Sequence, residues 1–258
     1  MRASTPEHWD RYWKEHAEVE ETYDNGDRLT RQLLREDVRG KRVLEVGAGS
    51  GRDSITLARA GAVVYVVDYV RSSLEVCRRL AEEAGVQLIY IEADATRMPV
   101  REGSFDIVFH QGVLEHFRRP ADLLDENFRI LKAGGFALVD VPQTFHLYTL
   151  LKKTLIAVNR WFAGWETQFS VASLTRTAEA SGFRVEGAFG DWLVPGLSYR
   201  ALRYALRQAR IARLPLHPGK GGAWDRMMSG VRERLRDRRW ALNTMICIGV
   251  KARKPLGR

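Results

Sequence analysis

Short apolar runs alternate with helix-length amphipathic segments along most of the chain. Seven of them read as strands: RVLEV (42–46), AVVYVV (62–67), QLIYIE (87–92), FDIVFH (105–110), GFALVDV (135–141), FRVEGAF (183–189) and NTMICIGVKA (243–252). Gly40, Gly61, Gly85, Gly103, Gly134-Gly135 and Gly182 lie just before successive runs, where a chain leaves a helix or turns into a sheet. This β-α alternation predicts an α/β fold built on a doubly wound, mostly parallel sheet. Ahead of the first strand, residues 6–39 read as two polar-rich helices, with Pro6 in a first turn and Asn25-Gly26 between them.

Two segments exceed what such a sheet needs, residues 146–169 after the fifth strand and 190–240 between the last two. The first contains LYTLLKKTLIAVNRWFAGW (147–165). It reads as a lid helix whose Trp161, Phe162 and Trp165 wall an apolar acceptor pocket, as an interfacial helix on a bilayer, or as a helix packed on the sheet edge. In the second, a helix over 197–214 places Arg200, Arg203, Arg207, Arg210 and Arg213 within an arc of roughly 140° at about 100° per residue. VRERLRDRRW (231–240) adds five more arginines beyond a loop, LPLHPGKGG. The expected organisation is an N-terminal helical lid (1–39), a core (40–189 and 240–258) and a basic helical insert (190–239).

Composition sharpens this division. The 258 residues are 45% hydrophobic, enough for one core of this kind, and carry a net charge of +9. Residues 190–258 hold 16 Lys+Arg against 4 Asp+Glu, a local +12, which leaves −3 on residues 1–189. The basicity therefore belongs to the C-terminal quarter, and the arginine-rich insert within it reads as a solvated face, a contact for anionic phospholipid or a phosphorylated ligand, or an RNA footprint. MRASTPEHWD has no apolar leader core, and Lys152, Lys153 and Arg160 break the most apolar later stretch. Cys77 and Cys247 stand far apart without a C-x-x-C neighbour and read as core residues. A cytoplasmic protein, at most peripheral to the inner face of a membrane, is expected.

Candidate chemistry centres on VLEVGAGSGRD (43–53), at the exit of the first strand. Ligands of open parallel sheets bind beyond the carboxyl ends of the strands, where strand order reverses. Gly47, Gly49 and Gly51 spell G-x-G-x-G, and Arg52 occupies the place of the third glycine in the dinucleotide fingerprint G-x-G-x-x-G. That disfavours a dehydrogenase, and no G-K-[ST] ending makes a P-loop. Asp68 ends the second run, where its carboxylate could accept both hydroxyls of a ribose. Asp94-Ala95 ends the third, where a carboxylate could meet an adenine amino group. Any one of these could be a tight turn or a helix cap, but three successive strand exits together describe one nucleoside site.

VLEVGAGSGRDSITLARAG, VVDYVRSSLEVCRR, IEADATRMPVREGSFDIVFHQGVLEH and ILKAGGFALVDVP resemble the successive motifs of class I S-adenosylmethionine-dependent methyltransferases. The likeness is to the small-molecule branch that includes quinone-biosynthesis methyltransferases. It covers roughly residues 40–142, with a weaker echo in TQFSVASLTRTAEASGFRV. The resemblance implies a Rossmann-like sheet of seven strands in order 3-2-1-4-5-7-6, the seventh antiparallel, with S-adenosyl-L-methionine as cofactor. By the same resemblance Glu45, Gly47, Ala48 and Gly49 face the cofactor's amino-acid moiety, Asp68 binds the ribose and Tyr69 packs on the adenine. Asp94 and Ala95 recognise the adenine edge, and His110 and Gln111 close over the cofactor. It also makes HWDRYW the helix that lids the site, with Tyr12 reaching the cofactor carboxylate. The alternative is that Trp9, Tyr12 and Trp13 staple that helix to the core.

Methyl transfer from a sulfonium is an in-line displacement, so the protein has to align the acceptor, exclude water and, where needed, take a proton. His116 in GVLEHF, with the alternative that it caps the short helix and supports the loop, and His146 in PQTFHLY, also at the carboxyl edge, are the candidate bases. The six histidines form no metal-ligand spacing, so no metal is expected. HQGVLEH lacks the acidic or Asn residue, Pro-Pro and aromatic of nucleic-acid amino-methyltransferases, and neither cysteine is placed for pyrimidine C5 chemistry. The expectation is methylation of a small-molecule or lipid-like substrate, with an anionic membrane surface as a peripheral contact and nucleic acid less favoured. An RNA methyltransferase using the arginine-rich insert and a non-catalytic nucleoside-binding module are the alternatives.

Overall fold

The structure is a computed structural model describing residues 5–15, 27–47, 49–161, 163–216, 218–219, 221–236 and 238–257. Seven strands form one sheet in the order β3-β2-β1-β4-β5-β7-β6. They are β1 (Arg42–Val46), β2 (Val63–Asp68), β3 (Ile89–Glu92), β4 (Phe105–Gln111), β5 (Leu131–Pro142), β6 (Arg184–Asp191) and β7 (Cys247–Arg253). β1 to β5 pair in parallel, and β7 runs antiparallel to both β5 and β6. The seven-strand order implied by the sequence resemblance is the observed one.

The helices are α1 (Pro6–Glu15), α2 (Asp27–Leu33), α3 (Arg52–Arg59), α4 (Arg71–Glu83), α5 (Pro120–Ile130), α6 (Leu147–Ala157), α7 (Val171–Ala180), α8 (Leu197–Gln208), α9 (Ala223–Arg236) and α10 (Arg239–Leu242). Alternation along the strands sends Leu44, Val46, Val108, Val139 and Val141 to one face, packed on Leu123 and Leu124 of α5 and Leu174 of α7. Val43, Val64, Val66, Ile107 and Phe109 go to the other, against Leu29 and Leu33 of α2, Leu57 of α3 and Leu74 and Cys77 of α4. Burial on both faces is why these strands read as continuous apolar runs. The order reverses between β1 and β4, so a crevice opens beyond their carboxyl ends.

Five expectations change. β3 starts at Ile89 and β5 at Leu131, and β7 starts at Cys247 after the short α10. The helix expected over 197–214 ends at Gln208: Arg210 turns left-handed (φ 57) and the Ile211 N–H donates to the Leu206 carbonyl at 3.0 Å, closing a Schellman turn. Arg210 and Arg213 therefore leave the predicted stripe. Arg200 donates to the Pro195 carbonyl at 2.9 Å and Arg203 to the Leu214 carbonyl at 3.0 Å, so part of the stripe ties down the loops around α8. The segment 147–165 closes in the same way, with Asn159 left-handed (φ 56) and the Arg160 N–H on the Leu155 carbonyl at 2.8 Å. Trp161 and Trp165 thus lie past the helix, while Phe162 and Asn25-Gly26 fall outside the described residues.

Candidate functional site

β1 runs out at Val46 into the glycine turn, whose first N–H, from Gly47, donates to the Val67 carbonyl at 2.8 Å. Gly47 and Gly51 have φ of 77° and 63°, and a Cβ there would stand 2.5 Å from Val113 Cγ2 and 2.2 Å from Cys77 Sγ. Glycine is needed at both for backbone conformation and for space. Gly49 (φ 50°) faces the Trp13 ring, 3.5 Å from where its Cβ would be. Ala48 lies outside the described residues. Glu45 is buried behind the turn, where its carboxylate accepts from Ser54 Oγ at 2.5 Å. Burial, reinforced by Asp53, pushes its pKa up to about 8. That bond ties it to the first turn of α3.

Asp68 ends β2, and its two carboxylate oxygens accept from the Val70 N–H and from Ser73 Oγ, each at 2.9 Å. These bonds fix the carboxylate's orientation at the start of α4. Tyr69 follows, 41% exposed, its phenol raised in pKa by burial and by Asp68, Glu7 and Asp94 around it. Asp94 is exposed after β3 and orients Thr96 through two 2.8 Å bonds, while Ala95 packs on the core. The structure thus brings the β1, β2 and β3 exits to one edge.

α1 lies across that edge. Ser72 Oγ of α4 donates to the Asp10 carbonyl at 3.3 Å, and Trp13 covers Gly49. Tyr12 sits between Trp9 and Trp13, ring centroids 5.5 and 5.4 Å away, with its phenol pKa raised by burial. Trp9 in turn meets the His116 ring edge-on at 5.2 Å. The aromatic row of α1 packs the helix against the turn after β4.

Around the end of β4 buried polar atoms collect without protein partners. Neither ring nitrogen of His110 has one, nor do Gln111 Oε1, Glu115 Oε2 and His116 Nδ1. Such atoms ordinarily cost about 1–3 kcal/mol each, and a cluster of them beside a glycine cradle has the chemistry of a ligand-lined hollow. Burial lowers the His110 pKa to about 3, so its ring is neutral. His116, on the 3₁₀ turn Leu114–His116, is also held neutral by burial. Its Nδ1 is buried and meets no protein partner. His146 differs: its Nδ1 accepts from the Tyr148 N–H at 3.1 Å and caps α6. The nitrogen that would take a proton is therefore already engaged.

Three groups escaped the sequence reading. Glu115 is buried, with its pKa pushed up to about 8 by burial and then by Glu166. Lys152 is 1% exposed in the middle of α6 and pairs with Glu166 at 2.5 Å, whose other oxygen accepts from Trp161 Nε1. Arg28 of α2 holds Asp140 at the end of β5. Glu115 carried a signal, adjacent to His116 in VLEH. The Lys152–Glu166 pair did not, because a lysine within LLKKTL reads as a solvent-facing break.

A methyltransferase domain family matches residues 44–139. The ubiquinone biosynthesis O-methyltransferase of Ralstonia nicotianae is 32% identical over 208 residues, 76% of this chain and 84% of the relative. A demethylmenaquinone methyltransferase of Clavibacter sepedonicus is 38% identical over 125 residues, 46% of this chain and 50% of that relative. A solved S-adenosylmethionine-dependent methyltransferase from Thermotoga maritima shares the fold, with TM-score 0.63 and 17% identity over 97% of this chain and 100% of its own.

Proposed function

The chain belongs to the S-adenosylmethionine-dependent methyltransferases, and on that premise we propose that it methylates a small, quinone-like or otherwise lipid-like acceptor with His116 as the base. S-adenosyl-L-methionine is the methyl donor, and it supplies a methyl group already activated for displacement. The glycine turn and the orphaned polar atoms at the end of β4 fit such a group, which has carboxylate, amino and ribose hydroxyl functions to pair with them. In this reading Gly47 and Gly49 leave backbone open to the amino-acid moiety, Asp68 accepts from the ribose hydroxyls, and Tyr69, Asp94 and Ala95 frame the adenine. Ala48, Tyr12, His110 and Gln111 complete the cofactor wall, with Glu45 supporting the turn from behind.

The observation that carries the base assignment is His116 Nδ1, buried and unpartnered on a ring packed edge-on against Trp9. It takes the acceptor's hydroxyl proton as the methyl group arrives, while α1 keeps water away. The names of the two relatives suggest the acceptor class. Incubation with labelled S-adenosylmethionine and short-chain dihydroxy-aromatic acceptors should transfer label to a phenolic oxygen. Label moving only to RNA, or to no phenolic acceptor, contradicts the proposal.

A peripheral membrane contact is part of this reading. Phe145, Leu147, Leu150 and Leu151 are 54–79% exposed at and beside the start of α6, with Lys153 and Arg160 exposed nearby. No helix among the described residues is long and apolar enough to cross a membrane. An apolar face flanked by cations suits the anionic inner face of a membrane, where a lipid-like acceptor would be met. Flotation with anionic but not zwitterionic vesicles, reduced by Leu147→Asp, supports it; no flotation contradicts it.

A further inference from the structure

A cavity of about 190 Å³ opens between α2, the end of β6 and α9, away from the glycine turn. Four guanidinium groups line it, those of Arg28, Arg31, Arg232 and Arg236, against two carboxylates, Asp191 and Glu233. They come from three separated stretches of chain, so the convergence is tertiary and not the outcome of one helical stripe.

The pairing inside this wall is uneven. The Arg28 charge is met behind the wall by Asp140 at 2.7 Å. Arg31 reaches Asp191 at 2.7 Å, and Arg236 comes to the same oxygen at 3.5 Å. Arg236 is also 3.4 Å from Glu233, which is 58% exposed and correspondingly screened. Arg236 has only 8% of its side chain exposed, and its Nε donates to nothing. Arg232 donates to Ser229 Oγ at 3.0 Å and meets the partly exposed Asp225 only at 3.7 Å. One partly exposed carboxylate is therefore shared by two cations, beside Arg232 and Arg236 donors with long contacts. Burying a guanidinium in this state is costly unless an acceptor completes its hydrogen bonds.

We infer that this cavity binds the phosphoryl group of a phosphorylated ligand. Guanidinium forks give charge-assisted, often bidentate bonds to phosphate oxygens. Guanidinium groups converging from several directions suit the tetrahedral oxygens of a phosphoryl group better than the two coplanar oxygens of a carboxylate. Trp192, Val194 and Ile246 line the same cavity and offer apolar surface to the organic part of an ester. The ligand is either a lipid headgroup or a soluble phosphate ester, and both present the same group. The inference goes beyond the acceptor reading and does not depend on the methyl-transfer assignment.

The test is calorimetric titration of inorganic phosphate into the full chain at fixed ionic strength. Saturable binding should appear, weakened at least tenfold in both Arg236→Gln and Arg232→Gln, with S-adenosylhomocysteine binding unchanged in each. If Arg236→Gln loses S-adenosylhomocysteine binding as well and so fails to fold, Arg232→Gln, whose side chain is 22% exposed, decides alone. Monomeric dihexanoyl phosphatidic acid and glycerol 3-phosphate then separate the sources: tenfold tighter binding of the former assigns a lipid headgroup, and equal binding a soluble ester. No saturable phosphate binding, or equal binding by wild type and folded variants, overturns the inference.

Discussion

Arg28 grips both oxygens of Asp140, donating through Nε at 2.9 Å and Nη2 at 2.7 Å, with both side chains almost wholly out of solvent. The pair fastens α2 to the end of β5, beside the crevice, and forms one side of the arginine cavity. Removing one partner leaves the other charge buried alone, so Arg28→Met should destabilise the fold by about 3–5 kcal/mol. Asp140→Leu added to it should recover much of the loss. Denaturant melts of both variants measure this, and a single variant as stable as wild type would show that the pair contributes nothing.

Gly51 and Cys77 make the closest approach of the glycine turn to α4. Gly51→Ala would put a Cβ 2.2 Å from the Cys77 sulfur at a φ of 63°, so it should destabilise by roughly 1–3 kcal/mol. Cys77→Ala in the same chain removes the clash but not the left-handed backbone, and should restore part of the loss. Melting of the two single variants and the double variant separates the terms, and full additivity would deny the contact.

Glu115 makes stability depend on pH in a defined direction. Its folded pKa is raised from 4.5 to about 8, so between those values the native state holds a proton that the unfolded state has released. Stability from this group is complete below about 4.5 and declines as pH rises through 8. Glu115→Gln keeps the neutral form and should flatten the wild-type slope across that window. His110 acts in the opposite sense, because its pKa falls from 6.5 to about 3 and its share is lost as pH drops through that range. Melts at several pH values check both, and an unchanged slope in Glu115→Gln would remove it from the account.

His116→Gln should lower kcat by about 10²–10⁴-fold while leaving S-adenosylhomocysteine affinity within a few-fold of wild type. Burial depresses the imidazole's pKa, so the acidic limb of the wild-type pH–rate profile should lie below that of a solvent-exposed histidine. His146→Gln should leave kcat much closer to wild type, since that nitrogen caps α6. Equal losses in the two variants would erase the distinction.

How legible all this was in the sequence depended on range. The exits of β1, β2 and β3 could be read from Gly47, Asp68 and Asp94 because apolar periodicity and end residues act locally. The end of α8 could not, because Arg210 takes the left-handed conformation usually reserved for glycine. Lys152 looked solvent-facing because Glu166, which permits its burial, is reached only after the chain reverses at Asn159. Arg28 and Asp140 are 112 residues apart, a pairing no local pattern encodes. His116 stood out by residue type, whereas its burial against the Trp9 ring comes only with the folded chain.

The central claim is that the three strand exits form one S-adenosylmethionine site, with Asp68 on the ribose. Calorimetric titration of S-adenosylhomocysteine into wild type and Asp68→Asn tests it most directly, since asparagine keeps an oxygen for the Val70 N–H and gives up the charge. The account predicts that the substitution weakens binding by about 1–3 kcal/mol, roughly ten- to hundredfold, with NAD binding to neither protein. Unchanged S-adenosylhomocysteine affinity in Asp68→Asn, or preferential binding of NAD, would contradict it.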